Sequence, residues 1–288
     1  MERVTVNAHA KLNLTLEVTG REGVFHTLDS LAVSLDLCDI VRAERRPQEG
    51  VSVVMRGMGC EHLPPRENNA VRAAELFFAA FPQAEGADIT VEKRIPVGGG
   101  LGGSSADAAG VLLALSRLFG VKKEELLPLA RALGSDTAMQ LFAGAFRMQG
   151  RGERLTPVAG MPKLYFVLIC PEGGVSSAAC FSAFDALGGS GSSGMTERAV
   201  ACFSAGQVEA AAGECKNDLL PAACSLHDKI GEALNAARSL SPLIAGMTGS
   251  GSTVFALFKE REARDRALER IGKENFTALA AESIQNEE

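Results

Sequence analysis

The stretch Ile95-Pro96-Val97-Gly98-Gly99-Gly100-Leu101-Gly102-Gly103-Ser104-Ser105-Ala106-Asp107-Ala108-Ala109 decides how this chain reads. Five glycines fall within six positions, two serines follow, and good helix formers come next. Glycine lets backbone amides approach a ligand without Cβ interference. A helix starting behind such a loop points unpaired N–H groups and its positive dipole end at the same place. The pattern is that of a phosphate cradle. A tight turn with Ser104 or Ser105 capping the helix is the simpler alternative, but it requires at most one or two of the glycines.

Two familiar cradles fit poorly. A Walker A loop needs Gly-Lys-Ser/Thr at its end, and no Lys follows these glycines. The dinucleotide fingerprint G-x-G-x-x-G is formally present at Gly98, Gly100 and Gly103. It should open the first βαβ unit and be followed about 20 residues on by an acidic residue at a strand end. Here strand-like sequence precedes the loop by a long stretch, and Glu124 and Glu125 sit at a helix start. A Rossmann-type NAD(P)-dependent oxidoreductase is therefore the disfavoured alternative.

Outward from the loop, the 288 residues are 46% hydrophobic and 5% aromatic, with no Trp and one Tyr, Tyr165, so the core is aliphatic plus Phe. The formal charge of −6 and the lack of any basic block longer than a pair argue against a nucleic-acid surface. The longest apolar run, Leu164–Cys170, is far too short to span a bilayer. The N-terminus has no secretory apolar run, and the seven cysteines show no C-x-x-C spacing. Reduced thiols in a cytoplasmic protein are the expectation.

Ala8–Val18 alternates, with His9, Lys11, Asn13, Thr15 and Glu17 on the polar face, and predicts one strand. Leu28–Val41 and Val51–Met55 read as further strands. Asn69–Phe81 has helical periodicity and stops before Pro82; Ile89–Val91 is a strand leading into the glycine loop. Helices are predicted from Asp107 to Gly120, from Glu124 to Leu133, over Glu197–Ala212, over Ser225–Ser239 and over Glu260–Ile271. Leu164–Cys170 and Val254–Phe258 read as buried strands. Strands and helices in runs, without strict βαβα alternation, argue an α+β fold. A Pro/Gly-bearing stretch near Arg151–Lys163 suggests domains over 1–155 and 156–288.

The loop Pro96…Gly100-Leu101-Gly102…Ser104-Ser105 resembles the phosphate-binding motif of the galactokinase, homoserine kinase, mevalonate kinase and phosphomevalonate kinase superfamily. The segments AKLNLTLEV around Lys11 and Asn13, GREGVFHTLDSL, GSDTAMQLFAGAFRMQGRGERL and MTGSGSTVFALF extend the resemblance over nearly the whole chain. It implies a two-domain α+β small-molecule kinase with its active site in the inter-domain cleft, using ATP and Mg²⁺. The implied substrate is 4-diphosphocytidyl-2-C-methyl-D-erythritol, an isoprenoid precursor phosphorylated on its 2-hydroxyl. Another small-molecule kinase of the superfamily is the nearest alternative. A monomer or weak homodimer without nucleic-acid or membrane partners is implied.

The resemblance also assigns roles. Asp136 is the implied base, where position alone would make it a first-turn Asp favoured by the helix dipole, and Lys11 is its cationic partner. Asn13, Phe25, His26 and Ser177 would hold the substrate, Phe25 and His26 gripping the pyrimidine. Asn69, Lys93, Pro96, Gly98, Gly99, Gly100, Leu101, Gly102, Gly103, Ser104 and Ser105 would surround ATP. A second glycine loop, Gly246–Gly251, would buttress the first. No His/Cys/carboxylate cluster offers a protein-built metal cage, which leaves Mg²⁺ to ATP oxygens, water and a loop Ser. The chain departs from the family pattern in three places: Ala106 for a second Ser, Thr137-Ala138-Met139-Gln140 for Val-Pro-Phe-Phe, and Ala70 for a Leu that packs on adenine.

Overall fold

In the computed structural model the first strand, β1 (Arg3–Asn13), keeps a solvated polar face only at Arg3, Thr5 and Asn7; every residue from Ala10 to Val18 is buried. The structure describes residues 2–60, 68–189, 191, 193–271 and 276–286. The alternating run Ala8–Val18 is also split between two strands. At Leu14 and Thr15 both backbone amides donate to the Leu31 carbonyl, and Leu16 turns to pair with Lys216 and Asp218. Only then does β2 (Glu17–Glu22) begin.

The remaining elements follow in order. They are β3 (Phe25–Arg45), β4 (Gly50–Gly57), α1 (Asn69–Ala80), β5 (Gly86–Lys93), α2 (Gly103–Phe119), α3 (Leu127–Leu133), α4 (Ser135–Gln140), β6 (Ala145–Gly150), β7 (Arg154–Pro157) and β8 (Tyr165–Cys170). After them come α5 (Ser177–Ala186), α6 (Met195–Ser204), α7 (Val208–Ala211), α8 (Leu220–Leu226), α9 (Lys229–Ser239), β9 (Ile244–Met247), β10 (Val254–Phe258), α10 (Arg261–Ile271) and β11 (Thr277–Glu282). The fold is α+β, as the run order implied.

Two expected helices are broken. Gly206, at φ +71°, separates α6 from α7, and His227 separates α8 from α9. The expected Glu124–Leu133 helix opens as a 3₁₀ turn (Lys123–Leu126) before Pro128 starts α3.

The chain forms two compact units, each assembled from several stretches, so the partition does not follow a single boundary at 155/156. Unit one comprises Met1–Ala10, Leu37–Val97 and Gly102–Phe142; unit two comprises Lys11–Asp36, Gly98–Leu101 and Ala143–Glu288. The reason is the length of β1 and β3, each of which supplies one end to either unit.

In unit one, β4 runs parallel to β5 with α1 as the crossover, and β5 runs antiparallel to Ile40–Arg45 of β3. Helix α2 presses closely on the strands: a Cβ on Gly110 would lie 2.7 Å from Val41 Cγ2 and 2.8 Å from the Ala8 Cβ. The βαβ unit therefore precedes the glycine loop and does not contain it, which removes the context a dinucleotide fingerprint requires.

In unit two, Leu28–Val33 of β3 pairs antiparallel with β6, and β6 with β7. A separate antiparallel sheet has the order β11-β8-β10-β9. Its β8 and β10 are almost wholly apolar, and α5, α8, α9 and α10 contribute residues to one core around Val167, Ile169, Val254 and Ala256. Burying each such side chain stabilises the unit by about 1.5–3 kcal/mol.

Candidate active site

In unit two the first glycine loop lies backbone to backbone against the second. Gly98 and Gly100 have φ of +74° and +77°, conformations that residues with a Cβ rarely adopt. A Cβ on Gly100 would lie 2.5 Å from the Thr248 carbonyl oxygen and 3.0 Å from that of Gly251. Thr253 N–H donates to Gly99 O at 3.1 Å, and Thr248 Oγ1 stands 3.4 Å from Gly100 O. The same Thr248 hydroxyl accepts the Asn13 backbone N–H at 2.9 Å.

Lys11 and Asn13 project from the end of β1 beside this interlock. Both are only 5% exposed. Lys11 Nζ donates to Asn13 Oδ1 at 2.6 Å, and Asn13 Nδ2 donates to Ser30 Oγ at 2.7 Å. A buried lysine is costly unless its charge has a purpose in the fold or the chemistry. Ser177 Oγ is 3.0 Å from Ser250 Oγ, which attaches the start of α5 to the second glycine loop.

Phe25 and His26 open β3, just after its turn from β2. The His26 ring stacks on Phe181 at 4.6 Å with an interplanar angle of 18°, and its Nε2 is 2.9 Å from Asp185 Oδ1. Arg21 forms an ion pair with the other Asp185 oxygen. The hydrogen bond with His26 and the charge of Arg21 hold the Asp185 carboxyl below its ordinary value. The Arg151 guanidinium lies 3.9 Å over the half-exposed Phe25 ring.

In unit one the loop continues into α2. Its N-cap is Gly102 at φ +70°, with no side-chain cap, so the simpler reading of Ser104 or Ser105 as the capping residue does not hold. Both serines stand inside the first turn, which begins four residues before the expected Asp107 and keeps its leading amides free of side-chain caps. Ala106 is fully buried, so at this position a methyl packs where the family has a hydroxyl.

Lys93, expected among the ATP ligands, has two carboxylate partners. It is buried, and its Nζ forms ion pairs with Asp39 and, at 2.7 Å, with Asp107 Oδ2. Two of its three donors are thereby engaged with carboxylates. Burial works to lower its pKa, but the charges of Asp107 and Asp39 prevail and keep it raised. Asp107 is itself pushed up by burial. Asp39 Oδ1 also accepts Ile95 N–H at 2.8 Å, which pins the exit of β5. Lys93 Nζ sits 3.4 Å from where a Gly103 Cβ would be, and its ion pair with Asp107 fastens the start of α2 to β5.

Asp136 stands in the first turn of α4, where the dipole favours it. Gln140, at the end of that helix, donates through Nε2 to His9 O at 3.0 Å and to Gly102 O at 3.1 Å. Gln140 thus puts an amide strut under the N-cap of α2. Asn69 opens α1 next to its cap Asn68, whose side chain accepts Val71 N–H, and Ala70 is buried beside it. Pro96 is half-buried at the exit of β5, and Leu101 is buried, its carbonyl accepting Lys11 N–H at 3.0 Å.

Sequence reasoning named Lys11, Asn13, Ser177, Phe25 and His26 and expected the second glycine loop to buttress the first; the structure places Gly98–Leu101 against Thr248–Gly251 beside Lys11 and Asn13. It did not single out Asp185 or Asp39, while Thr248 and Gln140 lie in segments it marked without assigning them these contacts. One signal was available for Asp185: Phe181 and Asp185 are four apart on α5 and so share a helix face, and both meet His26. Among the described residues, no group of three or more His, Cys, Asp or Glu side chains could hold a metal ion, and no helix is long and apolar enough to cross a membrane.

The chain matches the GHMP kinases N terminal domain over residues 68–144 and the GHMP kinases C terminal domain over 201–278. It is 38% identical over 270 residues to the 4-diphosphocytidyl-2-C-methyl-D-erythritol kinase of Cupriavidus metallidurans, covering 93% of this chain and 88% of the relative. The kinase of that name from Pelotomaculum thermopropionicum is 36% identical over 98% of both chains. A crystal structure of 4-(cytidine 5'-diphospho)-2C-methyl-D-erythritol kinase superposes with a TM-score of 0.81 at 32% identity, over 97% of this chain and 98% of the other. Homoserine kinase from Cytophaga hutchinsonii, at 19% identity and a TM-score of 0.78, shares the fold. With glycine loops, buried Lys11 and full-length relatives in agreement, the chain belongs to the GHMP kinases and, within them, to the 4-diphosphocytidyl-2-C-methyl-D-erythritol kinase family.

Proposed function

We propose that this protein transfers the γ-phosphoryl group of ATP to the 2-hydroxyl of 4-diphosphocytidyl-2-C-methyl-D-erythritol, a step in isoprenoid precursor synthesis. The observation that carries the reading is the interlock of Gly98–Leu101 with Thr248–Gly251 beside the buried pair Lys11 and Asn13. Phosphoryl transfer demands positioning and charge stabilisation more than covalent chemistry. Rigid backbone amides beside a fixed cation meet that demand.

The 2-hydroxyl oxygen forms its bond to the γ-phosphorus as the bond from phosphorus to the bridging oxygen breaks, and ADP departs. Asp136 takes the hydroxyl proton. Lys11 stabilises the charge on the transferring group, and Asn13 orients the acceptor. Amides of Gly98, Gly99, Gly100, Leu101, Gly102 and Gly103, with Ser104 and Ser105, receive the phosphates, while Pro96 shapes the loop and Asn69 lies toward the nucleoside. Lys93 contributes by holding α2 in place. Phe25, His26 and Ser177 take the cytidyl end of the substrate. Mg²⁺ suits the hydroxyls of Ser104 and Ser105 at an uncapped helix start, and when bound on ATP oxygens it neutralises phosphate charge.

A coupled ATP-consumption assay tests the reading, with the cytidyl substrate compared against homoserine, galactose and mevalonate. Turnover confined to the cytidyl compound is the expected result, and preference for one of the others would overturn it. Asp136→Asn and Lys11→Ala should each lower kcat by about 10²–10⁴-fold with the fold intact. Ordinary kcat in either variant would remove that residue from the chemistry.

A further inference from the structure

Unit two contains a cavity of about 470 Å³ that none of the proposed chemistry uses. That volume lies in the range of small-molecule clefts. Its floor is apolar, built from Leu14, Phe184, Met247 and Phe255. Gly246 keeps the floor open: a Cβ there would lie 2.9 Å from the Phe255 ring.

The polar groups around this cavity are unequal. Asn217 is fully committed, donating to Met247 O and Gly249 O and accepting from Leu219 N–H. Asp218, the carboxylate on the lining, accepts Val18 N–H at 2.9 Å. Lys216 and Arg238 also line it and are exposed. Glu214 is ion-paired with Arg198, whose hydrogen bond lowers its pKa, and the charge of Lys216 reaches the same carboxylate and helps lower it. Their neighbour Leu187 is 61% exposed at the mouth. An apolar floor with two exposed cations at the rim complements a ligand with an aliphatic body and a doubly charged anionic head.

We propose that this cavity binds a single-chain organic phosphate monoester, with the chain on the Leu14–Phe255 floor and the phosphate between Lys216 and Arg238. It goes beyond the kinase reading: the cavity borders the second glycine loop through Gly246 and Met247, and Asn217 ties its wall to Gly249.

Titration calorimetry with decyl phosphate on the full chain tests the proposal, in the presence of saturating ADP and cytidyl substrate. Saturable binding is expected, and decanol and decylammonium should bind at least about tenfold more weakly, since each lacks the anionic head. Lys216→Ala/Arg238→Ala should weaken decyl phosphate at least about tenfold. Leu187→Glu, which only adds a charge at the exposed mouth, should do likewise by repulsion. Kinase turnover should be unchanged in both. The proposal fails if decyl phosphate does not bind under these conditions, if the three probes bind alike, or if neither substitution weakens binding.

Discussion

Gly100 and Thr248 meet through their backbones, 148 residues apart in the chain: there is no room for a Cβ on Gly100 because the Thr248 carbonyl oxygen would be 2.5 Å away. This contact makes the phosphate loop and the second glycine loop one rigid object. Rigidity is what a cradle for a spread-out transition-state charge requires.

Gly100→Ala should therefore lower kcat/KM for ATP by about 100-fold or more, through positive-φ strain and displacement of the loops. Gly120→Ala is the control. Its φ is also positive, at +72°, but nothing lies within 4 Å of its Cβ position. It should lose about 1 kcal/mol of stability with turnover unchanged. Steady-state kinetics and thermal melting of the two variants separate the effects.

Asp185 orients His26 through its Nε2 and is itself held by Arg21. Asp185→Ala should raise KM for the cytidyl substrate about tenfold, near the value of a lost charge-assisted hydrogen bond, while kcat changes little. Equal loss in kcat and unchanged KM would place Asp185 outside pyrimidine recognition.

Glu17, 1% exposed, accepts N–H groups from Gly194 at 2.8 Å and Thr196 at 3.3 Å, together with Ser193. Burial opposes ionisation, but the backbone donors of Ser193, Thr196 and Gly194 outweigh it and depress the pKa. A depressed folded pKa gives stability that is present above the unfolded value of about 4.3 and lost as pH falls through the folded one. Glu17→Gln should thus cost about 1–3 kcal/mol at neutral pH, with the gap to the unaltered protein narrowing below about pH 4. Denaturant melts across pH 3–7 measure it.

Gln140→Leu removes the donor to the His9 and Gly102 carbonyls while keeping bulk in a buried site. A loss of about 1–2 kcal/mol in stability and a several-fold rise in KM for ATP are expected, because Gly102 is the N-cap of α2. Melting temperature and ATP titration check both.

Reading the chain residue by residue found what depends on local rules. Glycine excess marked Gly98–Gly103, period-two alternation marked the strands before it, and Pro82 and Gly120 stopped helices where expected. Elements whose partners lie far away were harder to see. The strands β6, β9 and β11 are short and pair with β3, β10 and β8, and the four-residue β7 pairs with β6. Gly206 and His227 broke two helical patterns because packing outweighs modest propensity over one or two residues.

By itself, then, the sequence determined the glycine-rich loop and the family, since backbone freedom and residue type at Pro96–Ser105 are local properties. Only the tertiary structure decided that Lys11 and Asn13 are buried and that Lys93 is locked between Asp39 and Asp107. It likewise decided that Asp185 stands behind His26. The places of Lys93 and Asp185 depend on partners 14 to 159 residues away and that of Asn13 on Thr248, 235 residues away, and the energy of a buried charge is set by such partners, whatever the pattern around it.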